Sequence, residues 1–163
     1  MEIKQVFKNV GTLLLFLQIT TGSIEQYRWY PGLGYYKLYI NLRSWQEAER
    51  MCAADNGHLA IINSESESVV LKQLLSEVTV VPGTDSETND YALIGFHDLY
   101  VEGEYLTVLG SLLNTTGYNK WHEGNPDNGL GVEDCGGIHR NSGKLVDLSC
   151  ETIYPFICEI EIK

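Results

Sequence analysis

Basic residues are scarce in this sequence. Lysine and arginine number 11 against 22 aspartates and glutamates, for a formal net charge of −11 over 163 residues. Such a surface repels phosphate backbones and anionic membrane faces and attracts cations, so nucleic acid is excluded as a natural partner. Long hydrophobic runs are missing too. The one extended apolar stretch, residues 10–17 (VGTLLLFL), is shorter than the roughly 18 residues a bilayer-spanning helix requires, and no later segment comes close. No transmembrane segment is therefore expected. Cysteine is limited to four residues, none at the C-x₂-C spacing of zinc sites. The four histidines, His58, His97, His122 and His139, are scattered without a helical i, i+4 partner for zinc. There is no internal repeat, low-complexity tract, collagen-like stalk or heptad run, so the oligomeric state is not legible.

What is present starts with a leader. Lys4 and Lys8 precede the apolar run, and Thr20, Thr21, Gly22 and Ser23 follow it, which is the layout of a secretory signal peptide. Residues 1–22 read as that segment and residues 23–163 as the mature domain. The leader holds one acid and two bases, net +1, so its removal takes the charge from −11 to −12. Roughly 140 residues remain, one domain able to bury about two-thirds of its unfolded surface. In an extracellular compartment Cys52, Cys135, Cys150 and Cys158 read as a disulfide framework, for which three pairings exist. A free catalytic thiol is thereby removed, and the scattered carboxylates suit cation binding better than hydrolysis, so no enzyme is expected.

Tyr35-Tyr36-Lys37-Leu38-Tyr39-Ile40 has the composition of a strand. Two helices follow, each with a start signal. Ser44-Trp45-Gln46-Glu47 is a capping box, and Trp45, Ala48 and Cys52 then mark one buried face before Asn56-Gly57 stops the helix. Ser64-Glu65-Ser66-Glu67 repeats the device, with Val70, Leu71, Leu74 and Leu75 as the apolar stripe. Leu93-Ile94-Gly95-Phe96 reads as a buried strand, Glu102-Gly103-Glu104 as a turn, and residues 110–131 as a long irregular insertion. Short strands around Cys135, Val146 and Cys158 close an α+β pattern.

The insertion concentrates side-chain oxygens. Asn125-Pro126-Asp127-Asn128 is followed by Glu133-Asp134-Cys135 and then Leu145-Val146-Asp147. Calcium takes six to eight oxygens from such groups, and the proline between two of them fixes their relative aim. An acidic surface loop with nothing bound has the same composition.

The order of these segments resembles the C-type lectin family across the whole proposed mature chain. Leu93-Ile94-Gly95-Phe96 is similar to the family's W-I-G-L core with leucine for tryptophan. Asn125-Pro126-Asp127 resembles the sugar-selecting triplet, Glu133-Asp134-Cys135 the E-D-C motif, and Leu145-Val146-Asp147 the W-N-D motif. Residues 31–37 leading into Trp45, with Ala60-Ile61-Ile62-Asn63-Ser64, are closer still to insect haemolymph lectins that bind lipopolysaccharide. The resemblance implies a C-type lectin-like fold with two helices, short antiparallel sheets and pairs Cys52–Cys158 and Cys135–Cys150. It implies Ca²⁺ bridging protein and sugar, with Asn125, Asp127, Glu133 and Asp147 as both metal-binding and carbohydrate-binding residues. Val146 departs from the pattern, because the family's asparagine would supply a metal oxygen and an amide donor to the sugar.

Two functions compete. One is a secreted recognition protein binding microbial glycans or lipopolysaccharide in innate immunity. The other is a calcium-independent interaction module with a degenerate sugar site, an inhibitor, venom component or effector that binds a protein. Trp121 and Tyr118 are candidates to line a sugar site, with core packing the stronger expectation for Trp121, and Asn114-Thr115-Thr116 is an N-glycosylation acceptor in a predicted loop.

Overall fold

A computed structural model describes residues 26–86 and 88–162. The proposed leader, residues 1–22, lies outside the described residues. In chain order the elements are β1 (Arg28–Tyr30), β2 (Gly34–Arg43), α1 (Trp45–Ala54), β3 (His58–Leu59), α2 (Glu65–Ser76), β4 (Tyr91–His97), β5 (Leu106–Thr107), β6 (Cys135–His139), β7 (Leu145–Leu148) and β8 (Tyr154–Glu161). The sheet runs β1-β2-β8-β4-β6-β7, with β3 on β8 and β5 on β4. Among the named strands of the described residues, β4 and β8 alone pair in parallel, through Leu93 and Phe156. Among the described residues no helix is long and apolar enough to cross a membrane.

Both helices form where their caps predict. The Ser44 amide donates to Glu47 Oε2 at 3.4 Å, and the buried face of α1 carries Trp45, Ala48 and Cys52. The Trp45 indole N–H donates to the Ile94 carbonyl at 2.9 Å, tying α1 to β4. The helix stops at Asn56, which takes a left-handed φ of 61°, a conformation asparagine tolerates better than most residues. At Gly95 the spacing rather than the dihedral decides. A Cβ there would lie 2.3 Å from the Leu59 carbonyl oxygen, so only glycine lets β4 pass this close to β3.

The two disulfides are Cys52–Cys158 and Cys135–Cys150, with Cα–Cα distances of 5.3 and 5.1 Å. In a chain-entropy account the first, 106 residues apart, stabilises by about 4.7 kcal/mol and the second, 15 apart, by about 3 kcal/mol. The first ties α1 to β8. The second fastens β6 to the segment after β7, at the root of the irregular loops.

The start of α2 departs from the repeated capping box. Ser64 Oγ accepts from the Glu67 amide at 3.2 Å as expected, but Glu67 does not reach back to Ser64. It turns inward, where it is 1% exposed. Its Oε2 accepts from the Asn63 amide at 2.6 Å and its Oε1 lies 2.7 Å from the Tyr36 hydroxyl. That hydroxyl also lies 3.1 Å from Oε1 of Glu159, whose other oxygen accepts from the Ile61 amide at 3.0 Å. One hydroxyl proton cannot serve two carboxylates. A second proton on the pair completes the hydrogen bonds, and burial pushes the Glu159 carboxyl up to about 7.

The far end of α2 is closed by Arg140 from beyond β6. This buried guanidinium donates to the carbonyl of Leu75 in the last turn of the helix, where acceptors are left open, and to those of Val78 and Asn89 beyond it.

Candidate functional site

The long irregular segment is held against β7 by its own acidic residues. Asp147, on β7 and 2% exposed, accepts through Oδ2 from the amides of Asp127 at 2.9 Å and Asn128 at 2.7 Å. Asn128 has a left-handed φ of 44°, and its side-chain oxygen accepts from the Glu133 amide at 3.2 Å. The Glu133 carboxylate closes the turn by accepting from the Gly129 amide at 2.9 Å. The Asn125–Pro126 bond is cis.

These bonds bring Asp127, Glu133 and Asp147 together, with carboxylate oxygens all within 4.8 Å of one another. Asp127 is exposed, Glu133 half-buried and Asp147 buried. Burial raises the Glu133 carboxyl above its ordinary value, and the neighbouring charges of Asp147 and Asp127 push the same way. The other oxygen of Asp147, Oδ1, is buried without a hydrogen-bond partner. A buried carboxylate oxygen left unpaired is costly, and a cation among the three carboxylates would satisfy it. The donor set therefore fits a hard divalent ion such as calcium. Asn125 adjoins the group through the cis bond. Its backbone amide donates to the His122 carbonyl at 2.9 Å, and its side chain makes no hydrogen bond to any described residue.

Val146 faces elsewhere. It is fully buried in an apolar cluster with Trp45, Leu93, Leu148 and Phe156. The residue that offers no oxygen to a metal is thus spent on packing. Leu93, which stands in for the tryptophan of the family pattern, lies in the same cluster.

A second acidic group escaped the sequence reading. Asp98, at the end of β4, is 3% exposed and accepts from the Gly103 amide through Oδ2 at 2.7 Å, while its Oδ1 is buried without a partner. Asp134 sits beside it, with the Asp98 amide donating to the Asp134 carbonyl at 3.0 Å, and burial followed by the Asp134 charge raises the Asp98 carboxyl. Glu102, in the expected turn, accepts from the Asn128 side-chain amide, so the two groups meet at Asn128. An aspartate directly after a buried strand and four residues before Glu102 was the available signal.

His122 and His139 also come together against expectation. Their rings stack at 3.9 Å and both Nδ1 atoms touch Ser142 Oγ. Trp121 packs as expected, edge-on to Phe96 and against Tyr105. It also forms one wall of a 310 Å³ groove that reaches Pro126 and Asn114. Asn114 itself is exposed, within a short 3-10 turn at Leu113–Thr115.

Residues 41–160 match the family model described as Lectin C-type domain. The chain is 47% identical over 131 residues to the hemolymph lipopolysaccharide-binding protein of Periplaneta americana, covering 80% of this chain and 50% of that protein. It thus spans about half the length of this relative. It is 29% identical over 136 residues to a C-type lectin mannose-binding isoform of Notechis scutatus scutatus, covering 80% of each. Among solved structures, the carbohydrate-recognition domain of the mouse scavenger receptor C-type lectin aligns with a TM-score of 0.67 at 28% identity, covering 84% of this chain and 94% of that one.

Proposed function

The chain belongs to the C-type lectin family, and from that premise we propose that it is a secreted recognition protein that binds glycans through calcium. The observation that carries this reading is the convergence of Asp127, Glu133 and Asp147 around a buried, unpartnered Asp147 Oδ1. Asp127, Glu133 and Asp147 would hold the ion, with Asn125 as the amide neighbour across the cis bond. When bound, calcium supplies open coordination positions to vicinal sugar hydroxyls. The protein's own part is positional: Asp147 fixes residues 127 and 128 through two amides, and Glu133 fixes residue 129.

Similarity to a protein named for lipopolysaccharide binding supports microbial glycan or lipopolysaccharide as the ligand and innate defence as the setting. The leader at residues 1–22, the mature domain from residue 23, glycosylation at Asn114 and action by binding rather than catalysis are parts of the same proposal. Calorimetric titration of calcium into the chelator-treated protein tests it. Saturation by a few millimolar, within the range of extracellular calcium modules at roughly 10⁻⁴–10⁻³ M, with loss in Asp147→Asn, is the expected result. Calcium-dependent retention on immobilised lipopolysaccharide or a glycan array then identifies the ligand. No heat in either protein would favour the second reading, a calcium-independent module for a protein partner, which the packing of Val146 supports.

A further inference from the structure

A second cavity lies away from the three carboxylates just described. It measures about 440 Å³ and opens between the first turns of α1, the segment after β4, the β5 turn and the Cys135–Cys150 disulfide. That volume falls within the usual range for ligand sites, about 300–1,000 Å³.

Its walls have a definite chemistry. Trp45 and His97 meet edge to face at 5.4 Å, and His97 meets Tyr100 in the same way at 5.3 Å, giving a continuous aromatic side. Tyr100 is 79% exposed although it borders the cavity. Glu49 from α1 and Glu151 beside the disulfide contribute two carboxylates. Neither has a hydrogen bond or ion pair to any described residue, and no lysine or arginine lines the cavity. Burial holds the His97 imidazole below its ordinary value, so the histidine does not supply the missing positive charge near neutrality. Two unpaired carboxylates beside aromatic faces favour an organic cation, through charge and through the ring quadrupoles. A metal ion would leave the aromatic side unused.

The rim points to the source of that cation. Leu99, which also lines the cavity, is more than half exposed and, with the neighbouring Tyr100, carries apolar surface out to solvent. A free amine would leave this surface in water, whereas a basic side chain flanked by apolar residues covers it. We infer that the cavity receives an arginine or lysine side chain of a protein partner, with the partner's neighbouring apolar residues seated on Leu99 and Tyr100. This site needs no calcium and does not rest on the lectin reading.

The test uses the disulfide-intact protein in chelator at about 0.15 M salt, where long-range attraction is screened. The tripeptide Ac-Leu-Arg-Leu-NH₂ is titrated against its citrulline counterpart, which keeps the shape and removes the charge, while the Trp45 indole resonance is followed by NMR. The arginine peptide is expected to bind about five to ten times more tightly than the citrulline peptide, from two partly exposed charge contacts and one cation–aromatic contact. The double variant Glu49→Gln/Glu151→Gln, on solvent-accessible positions, should abolish that preference and keep the wild-type melting temperature. Equal affinity for both peptides overturns the proposal. So does a preference that survives in the double variant, which would reflect only attraction to an acidic protein. Free arginine amide binding as tightly as the peptide overturns the assignment to a protein partner.

Discussion

The protein contains two groups of crowded carboxylates, and it handles them in opposite ways. Glu67 and Glu159 sit in the interior with the Tyr36 hydroxyl between them, and backbone amides of Asn63 and Ile61 occupy their outer oxygens. Nothing remains for a ligand to satisfy, and a proton taken up at Glu159 relieves the charge of the pair. Asp127, Glu133 and Asp147 lie at the loop end, with backbone amides fastening the loop and one buried oxygen left open. Their balance must come from outside. Acidic crowding alone does not make a binding site; the difference lies in whether the fold supplies the last partner.

Tyr36→Phe should break this contrast most severely. It removes the hydroxyl shared by the two buried carboxylates and should cost roughly 3 kcal/mol, as for buried charged groups that lose a hydrogen-bond partner, read as a lower urea midpoint in chelator. The variant should still be stabilised by calcium, because the loop group is untouched.

The next effect is a pH slope. Folding raises the Glu159 carboxyl from an ordinary 4.5 to about 7, so the folded state holds the extra proton over that interval. This contribution is complete below 4.5 and is lost as pH rises through 7. The groups facing it are Glu67 and Tyr36, with Glu161 farther along β8 and His58 paired to Glu161 at 3.9 Å. A loss of about 2–3 kcal/mol across the interval is expected, and Glu159→Gln should flatten it in denaturation curves taken at successive pH values. A wild-type stability that rises over the same interval would refute the shared proton.

Val146→Asn sharpens the comparison from the other side. An amide placed in the apolar cluster should destabilise the calcium-free protein by about 2 kcal/mol. Because residue 146 faces the core and not the carboxylates, calcium should leave that loss in place and give the same thermal shift as in the wild type. The smallest effect belongs to the wild-type metal response. At tenfold excess over its dissociation constant, calcium should add about 1.4 kcal/mol, visible as a higher melting temperature that Asp147→Asn removes.

Much of this was legible in the chain. Helix starts at Ser44 and Ser64 are local signals, and the resemblance carried the four cysteines to their pairs and gathered Asn125, Asp127, Glu133 and Asp147 into one expected ligand set. Asn56 ends the first helix where its sequence predicts. What escaped depends on distance along the chain. Glu67 reads as a capping residue because periodicity sees only its own helix, and its partners are 31 residues upstream and, through Tyr36, on β8. The pairing of His122 with His139 and the meeting of Asp98 with Asp134 likewise come from neighbouring strands. Val146 was legible as an oxygen missing from the site, whereas its place in the core required the register of β7.

The position of β8 has a consequence for how the molecule is made. This last strand of the domain is not an edge; it lies between β2 and β4 and also receives β3. A nascent chain that has emerged as far as β7 has both helices and most of its core residues, yet its sheet is split where β8 must enter. Contacts of such long sequence separation slow folding and leave strand edges open to association. Assembly must therefore wait for the domain's final segment, and a chain cut before Tyr154 would present two unpaired strand edges instead of a slightly shortened fold.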